Sequence, residues 1–147
     1  MAMDLVWRVF SEFEAPEYTL EGIHTFQDYI SYKAIRQNWE SCKIKIWGAF
    51  QKGRLAGIIA LSGADHISLF FVEKNHQGRG IGKRLFDVAL QECRQDKTVC
   101  KITVNSSPYA VRIYQKLGFS AVGTEQMADG IRFTPMEYGV EKAEGET

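Results

Sequence analysis

The chain reads as an α/β protein on a mostly antiparallel sheet with one parallel step at its centre. Three observations predict this. Short apolar and β-branched runs recur between Gly, Asn and Asp turn residues. Two pairs of runs are joined by hairpin turns, Gln51-Lys52-Gly53-Arg54 and Ala128-Asp129-Gly130. The runs 66–72 and 99–104 are instead separated by a segment of helical spacing, which requires a parallel crossover.

In chain order, Leu5 to Phe10 predicts a first strand. Pro16-Glu17-Tyr18 opens a helical region in which Leu20, Ile23, Phe26, Tyr29, Ile30, Ala34 and Ile35 recur, expected to break into two helices. Ile44–Phe50 and Leu55–Leu61 form a hairpin, and Gly63-Ala64-Asp65 turns the chain into His66–Val72. Gly80 to Cys93 carries a stripe of Ile81, Leu85, Val88, Ala89 and Glu92. Val99–Val104 is a short strand. Pro108 suits the first turn of a helix to Lys116, capped by Gly118. Phe119–Met127 and Ile131–Val140 pair as a second hairpin, with Pro135 marking an edge or a bulge. The sum is about seven strands and about four helices.

A length of 147 residues fits one domain, 1–140, with 141–147 as a solvated tail. Hydrophobic residues make up 45% and charged ones 24%, and Lys+Arg and Asp+Glu balance at 18 each. No global field therefore favours nucleic acid or an anionic membrane. No apolar run approaches the ~20 residues of a membrane span, and the start Met1-Ala2-Met3-Asp4 lacks a signal-peptide core. Cys42, Cys93 and Cys100 form neither a metal pattern nor an even disulfide set. Reduced thiols and a cytoplasmic location are the default expectation, and monomer or homodimer stays open.

The chemistry concentrates after Phe70-Phe71-Val72. There Gln77-Gly78-Arg79-Gly80-Ile81-Gly82-Lys83-Arg84 makes a glycine-rich turn into a helix with basic residues in its first turn. Glycines let a ligand approach the backbone, and helix-start N–H groups bind anions. A Walker A loop needs Gly five before Gly82 and Ser or Thr after Lys83, but Gln77 and Arg84 stand there. A Rossmann G-x-G-x-x-G fails at both registers of these glycines. What remains is Q-x-x-G-x-G at Gln77, Gly80 and Gly82.

With the downstream stretch from Asn105-Ser106-Ser107-Pro108 through Tyr114 to Leu117-Gly118-Phe119, this loop resembles the GCN5-related N-acetyltransferase (GNAT) family over about 44–140. The resemblance implies a twisted sheet whose strands 66–72 and 99–104 splay apart. Acetyl-CoA is the implied cosubstrate, with no metal. Its pyrophosphate would lie on the N–H groups of Gly78 to Lys83, with Gln77, Gly80, Ile81 and Gly82 in the loop. Arg79, Lys83 or Arg84 would add charge. The pantetheine arm would pair with the backbone of Phe70, Phe71 and Val72. Ser107 stands where many relatives have a cofactor-binding asparagine, and Asn105 lies two residues earlier, so both are candidate contacts.

Acetyl transfer needs a neutral amine, donors for the acyl oxygen and help for the departing thiolate, of pKa ~8.5. By resemblance, Tyr114 is the general acid, worth ~10²–10⁴ in rate, and the Val72 N–H an oxyanion donor. A lysine-like amine of pKa ~10.4 is neutral about once in 2,500 molecules at pH 7, a deficit of ~4.6 kcal/mol, so a base helps. His66 is the candidate, sharing a strand face with Ser68, Phe70 and Val72. It replaces the glutamate that some relatives carry, and a strand-end histidine in a polar network is the competing reading. Glu73 is a weaker rival base; His24 and His76 read as surface residues.

The acceptor is a primary amine of a small molecule or a protein, attacking directly, because no cysteine matches a catalytic position and Cys93 and Cys100 read as core. The N-terminal helices and last hairpin would hold it, with Tyr29, Tyr32, Trp39, Trp47, Phe133 and Met136 as candidate walls. The alternative is a non-catalytic acyl-CoA-binding sensor, which would keep the loop and dispense with Tyr114.

Overall fold

The computed structural model describes residues 2–73 and 80–141. Its first element is a helix, α1 (Ala2–Phe13), and not the strand expected at Leu5–Phe10. Leu5, Val6, Val9 and Phe10 are the buried residues of α1, at helical spacing, and Asp4 supplies an acid in its first turn. The β-branched content of a six-residue window hid that stripe. A 3₁₀ turn at Ala15–Glu17 follows, then α2 (Leu20–Tyr29) and α3 (Tyr32–Glu40), so the long helical region does split. Thr19 and Ser31 cap the two helices through side-chain oxygens, accepting from Gly22 N and Ala34 N.

The sheet comprises β1 (Ile44–Gln51), β2 (Arg54–Ser62), β3 (His66–Val72), β4 (Lys101–Ser106), β5 (Ser120–Ala121), β6 (Gln126–Ala128) and β7 (Ile131–Gly139). Its order is β1-β2-β3-β4-β7-β5, with β6 also on β7, and every pair but β3–β4 is antiparallel. Helix α4 (Ile81–Gln95) makes the parallel crossover, and α5 (Val111–Leu117) follows β4. Strand β2 is buried from Ala56 through Leu61, as a strand covered on both faces must be. One core joins Ile59, Leu85, Phe86, Ile102, Tyr114 and Phe119. The other joins Leu5, Phe10, Ile30, Ile58, Leu69 and Phe71 beneath the N-terminal helices.

Three local readings shift. The buried stripe of α4 runs through Phe86 and Leu90, while Val88 is exposed. Helix α5 begins after Pro108, because Ala110 N bonds back to Ser107 O at 3.0 Å in a turn first. The strand expected at 119–127 is broken into β5 and β6 opposite Pro135. Val122 N donates to Pro135 O at 2.9 Å, so Pro135 turns the side without an N–H toward this irregular segment. That is the bulge alternative; β7 is not an edge.

Two features position the site. Strands β3 and β4 pair only at His66↔Thr103 and Ile67↔Val104 and then diverge, while β4 continues along β7 to Ser106↔Thr134. The N-terminus of α2 also rests on the β6–β7 turn. Thr19 Oγ1 donates to Gly130 O at 2.8 Å and Thr25 Oγ1 to Asp129 O at 3.1 Å. A Cβ on Gly22 would lie 2.2 Å from Gly130 O, so only glycine allows this approach. Among the described residues, no helix is long and apolar enough to cross a membrane, and no group of three His, Cys, Asp or Glu could hold a metal ion.

Candidate active site

The divergence of β3 from β4 leaves the far half of β3 with β2 as its one sheet neighbour. Glu73 N donates to Ala56 O at 2.7 Å, so strand alternation turns the peptide groups of Val72 and Phe70 away from β2 and toward the gap. Helix α4 starts at the mouth of this gap. Its N-cap, Gly80, has φ +78, a left-handed conformation that glycine adopts without strain. Arg84 N reaches Gly80 O at 3.0 Å; Ile81, Gly82 and Lys83 precede the first helical bond, so their N–H groups have no intrahelical acceptor. Lys83 is exposed and lies 3.5 Å from Asp87. Gln77, Gly78 and Arg79 lie outside the described residues, as does His76.

Two chambers meet in the gap. The smaller, about 310 Å³, is lined by Val72, Gly82, Tyr109 and Ile113 among others. The larger, about 530 Å³, is lined by His66, Ser68, Asn105 and Ser107 and reaches Tyr29, Asp129 and Phe133. Glu14, Phe70, Phe71, Ala110 and Tyr114 line both and form the waist. A Cβ on Gly82 would stand 3.7 Å from Phe70 and Val72, in ordinary contact, and so would take up room on the smaller chamber's wall. An extended thioester carrier fits this plan: anion donors at the mouth, outward peptide groups along β3, a waist for the reacting carbon.

Tyr114 is buried between Phe70 and Phe119, with ring centroids at 6.1 and 5.3 Å. Burial, and after it the Glu14 carboxylate and Tyr18, pushes its phenol far above the ordinary range, so it stays protonated. His66 lies on the first of the two rungs joining β3 to β4, and its Nδ1 shares a 2.8 Å hydrogen bond with the Thr103 hydroxyl. In the tautomer in which Nδ1–H donates to the Thr103 hydroxyl, Nε2 carries the lone pair that can take a proton. Burial lowers the His66 pKa, against a smaller opposing pull from Asp65, which favours the neutral ring at pH 7.

Other expected residues sort by position. Ser107 is buried and its Oγ accepts from Ala110 N at 3.3 Å, which fixes the turn into α5. Asn105 is exposed on the larger chamber's rim. Glu73 pairs with Arg8 at 3.0 Å, and His24 is exposed. Of the expected acceptor walls, Tyr29 and Phe133 line the larger chamber. Trp47 and Met136 pack in the core, and Tyr32 and Trp39 are exposed on α3. Cys93 is buried, but Cys100 is exposed and not core. Sequence reasoning missed Glu14, Ser68 and Asp129. Asp129 was visible only as a turn residue, and Glu14 reaches the site through an N-terminal segment whose fold was misread.

The model of the acetyltransferase (GNAT) domain matches residues 14–140, and the chain belongs to that family. It is thus an N-acetyltransferase of the GNAT type, with the mixed sheet that type implies. A probable spermine N(1)-acetyltransferase from Bacillus subtilis subsp. natto is 25% identical over 120 residues, covering 69% of this chain and 79% of that one. A GCN5-related N-acetyltransferase from Rhodopseudomonas palustris superposes with TM-score 0.79 at 19% identity, covering 94% of this chain and 87% of its own. The PaiA N-acetyltransferase of Thermoplasma acidophilum, solved with coenzyme A, gives 0.72 at 19% identity over 93% and 89%.

Proposed function

We propose that this chain moves the acetyl group of acetyl-CoA onto a primary amine, of a small molecule or a protein, by direct attack of the amine. The observation that carries this reading is the waist: one buried phenol, Tyr114, lines both chambers where the splayed strands part. The carrier would enter from the α4 side. The N–H groups of Ile81, Gly82 and Lys83 would hold its pyrophosphate together with Gly80 and the preceding Gln77, Gly78 and Arg79, and the outward backbone of Phe70 and Val72 its arm, whereas the Phe71 backbone, expected to share in this, faces β2. Bound there, acetyl-CoA supplies an activated acyl carbon.

The protein's own groups do the rest. The larger chamber holds the amine, with Asn105 and Ser107 on its wall. His66 takes the proton that the amine must lose, the Val72 N–H faces the acyl oxygen, and the Tyr114 hydroxyl faces the departing sulfur. Calorimetric titration is expected to show one acetyl-CoA bound per chain, and thiol release is expected to depend on added amine. Absence of acetyl-CoA uptake by the folded protein overturns the reading.

His66 has its own test. Its lowered pKa places the acidic limb of kcat/KM below pH 6.5, where protonation removes the base. His66→Gln is expected to reduce kcat/KM by about 10²–10⁴ and to abolish that limb. A limb that survives in His66→Gln assigns the titration to another group.

A further inference from the structure

We infer that Phe13 and Tyr109 form an aromatic strap across the gap between the splayed strands, Tyr109 gripping the arm of the carrier and Phe13 holding Tyr109 in place. This rests on the acetyltransferase reading and deepens it, because it gives the N-terminal helix a part in holding the carrier. Phe13 is the last residue of α1, and Tyr109 belongs to the turn that follows β4. Their rings stack with centroids 5.1 Å apart and planes inclined by 24°. Helix α1 sits on the β3 side, where Val9 and Phe10 share one core with Leu69 and Phe71. The stack therefore ties the β3 side of the gap to the β4 side, beyond the point where the two strands cease to pair.

The tie borders the smaller chamber. Tyr109 and Ile113 line it from the β4 side, Phe70 and Val72 from the β3 side, and Val9 from α1. An arm paired with the outward peptide groups of Phe70 and Val72 runs past Tyr109 on its way from Gly82 to the waist. A ring there gains apolar and stacking contact with the amides and methylenes of such an arm.

A separate observation sets Tyr109 apart from ordinary packing. Its ring is 36% exposed, so it adds little to the core. The turn that carries it is already closed without the ring, by Ala110 N donating to Ser107 O at 3.0 Å and sharing Ser107 Oγ at 3.3 Å. Burial, and after it Glu14 and Glu12, raises the Tyr109 phenol above its ordinary value, which keeps the ring neutral beside an anionic carrier.

The test compares CoA with 3′-phospho-ADP, which keeps the nucleotide and pyrophosphate and lacks the arm. Tyr109→Ala is expected to weaken CoA about tenfold, through faster dissociation, while 3′-phospho-ADP stays within about twofold. KM for acetyl-CoA is expected to rise by a similar factor with little change in kcat. Tyr109→Phe keeps the ring and is expected to restore CoA affinity to within about twofold of the wild type. Phe13→Leu removes the stacking face and is expected to weaken CoA about threefold with the same indifference of 3′-phospho-ADP.

Unchanged CoA affinity in Tyr109→Ala overturns the strap. So does an equal loss for both ligands, which a general loosening of the domain would give. In either case CoA uptake by the wild type leaves the acetyltransferase reading intact. Should Phe13→Leu fail to fold, the Tyr109 variants decide alone. If 3′-phospho-ADP binds too weakly to measure, the split between KM and kcat and the rescue by Tyr109→Phe decide. Failure of the wild type to take up CoA rejects both readings.

Discussion

Tyr114→Phe is expected to cut kcat by about 10²–10³ while leaving the affinity for CoA within about twofold. The ring sits in a buried aromatic cluster with Phe70 and Phe119, and phenylalanine keeps that packing. What is lost is one O–H at the waist. The direction of its pKa shift defines the role. A phenol pushed further up by burial and by Glu14 gives up its proton less readily than the thiol of CoA, whose pKa is ~8.5. Complete transfer to the sulfur is therefore uphill. In the mechanism proposed above, the hydroxyl would act as a hydrogen-bond donor to the charge building on sulfur, and the proton balance would close through His66 and solvent. Thiol release at neutral pH measures turnover, and calorimetry measures affinity. Undiminished turnover would show that the phenol only packs, and loss of CoA binding would make it a cofactor contact.

The second large effect is on stability. Phe10→Ala is expected to cost about 3–5 kcal/mol and to lower Tm by on the order of 10 °C, read by thermal denaturation followed by circular dichroism. Phe10 is fully buried, stacks on Phe26 at 4.0 Å and meets Tyr18 edge-on at 5.0 Å. Phe26 in turn packs against Phe71 of β3 at 5.9 Å and lines the larger chamber. Removing the ring therefore loosens the wall of the larger chamber together with the N-terminal core. A loss below about 1 kcal/mol would mean that the N-terminal helix is not integral to this core.

The parts of the molecule legible from sequence are those whose signals are local. A glycine-rich helix start, a β-branched strand on each side of a crossover, and hairpin turns at 51–54 and 128–130 are each encoded within a few residues. Helix α1 was not, because paired apolar residues four apart also look β-like when six residues are read alone. The break between β5 and β6 depends on what Pro135 cannot donate across the sheet, a non-local cause. The same holds for the larger chamber. Trp47 and Met136 looked like walls by residue type and went to the core. Glu14 and Asp129, more than a hundred residues apart in sequence, reach one cavity through the docking of α2 on the last hairpin turn.

The narrow seam between β3 and β4 has a consequence for the protein's economy of order. Two rungs join the parallel pair, and the rest of the crevice lacks the lattice of bonds that a closed sheet would offer. A guest threaded along it, as proposed, would complete that lattice and be mortar as well as reagent. Mass action then ties the firmness of the whole domain to the supply of its donor. With acylated carrier in excess the molecule would be found in its stiffer form, and with carrier depleted it would slacken.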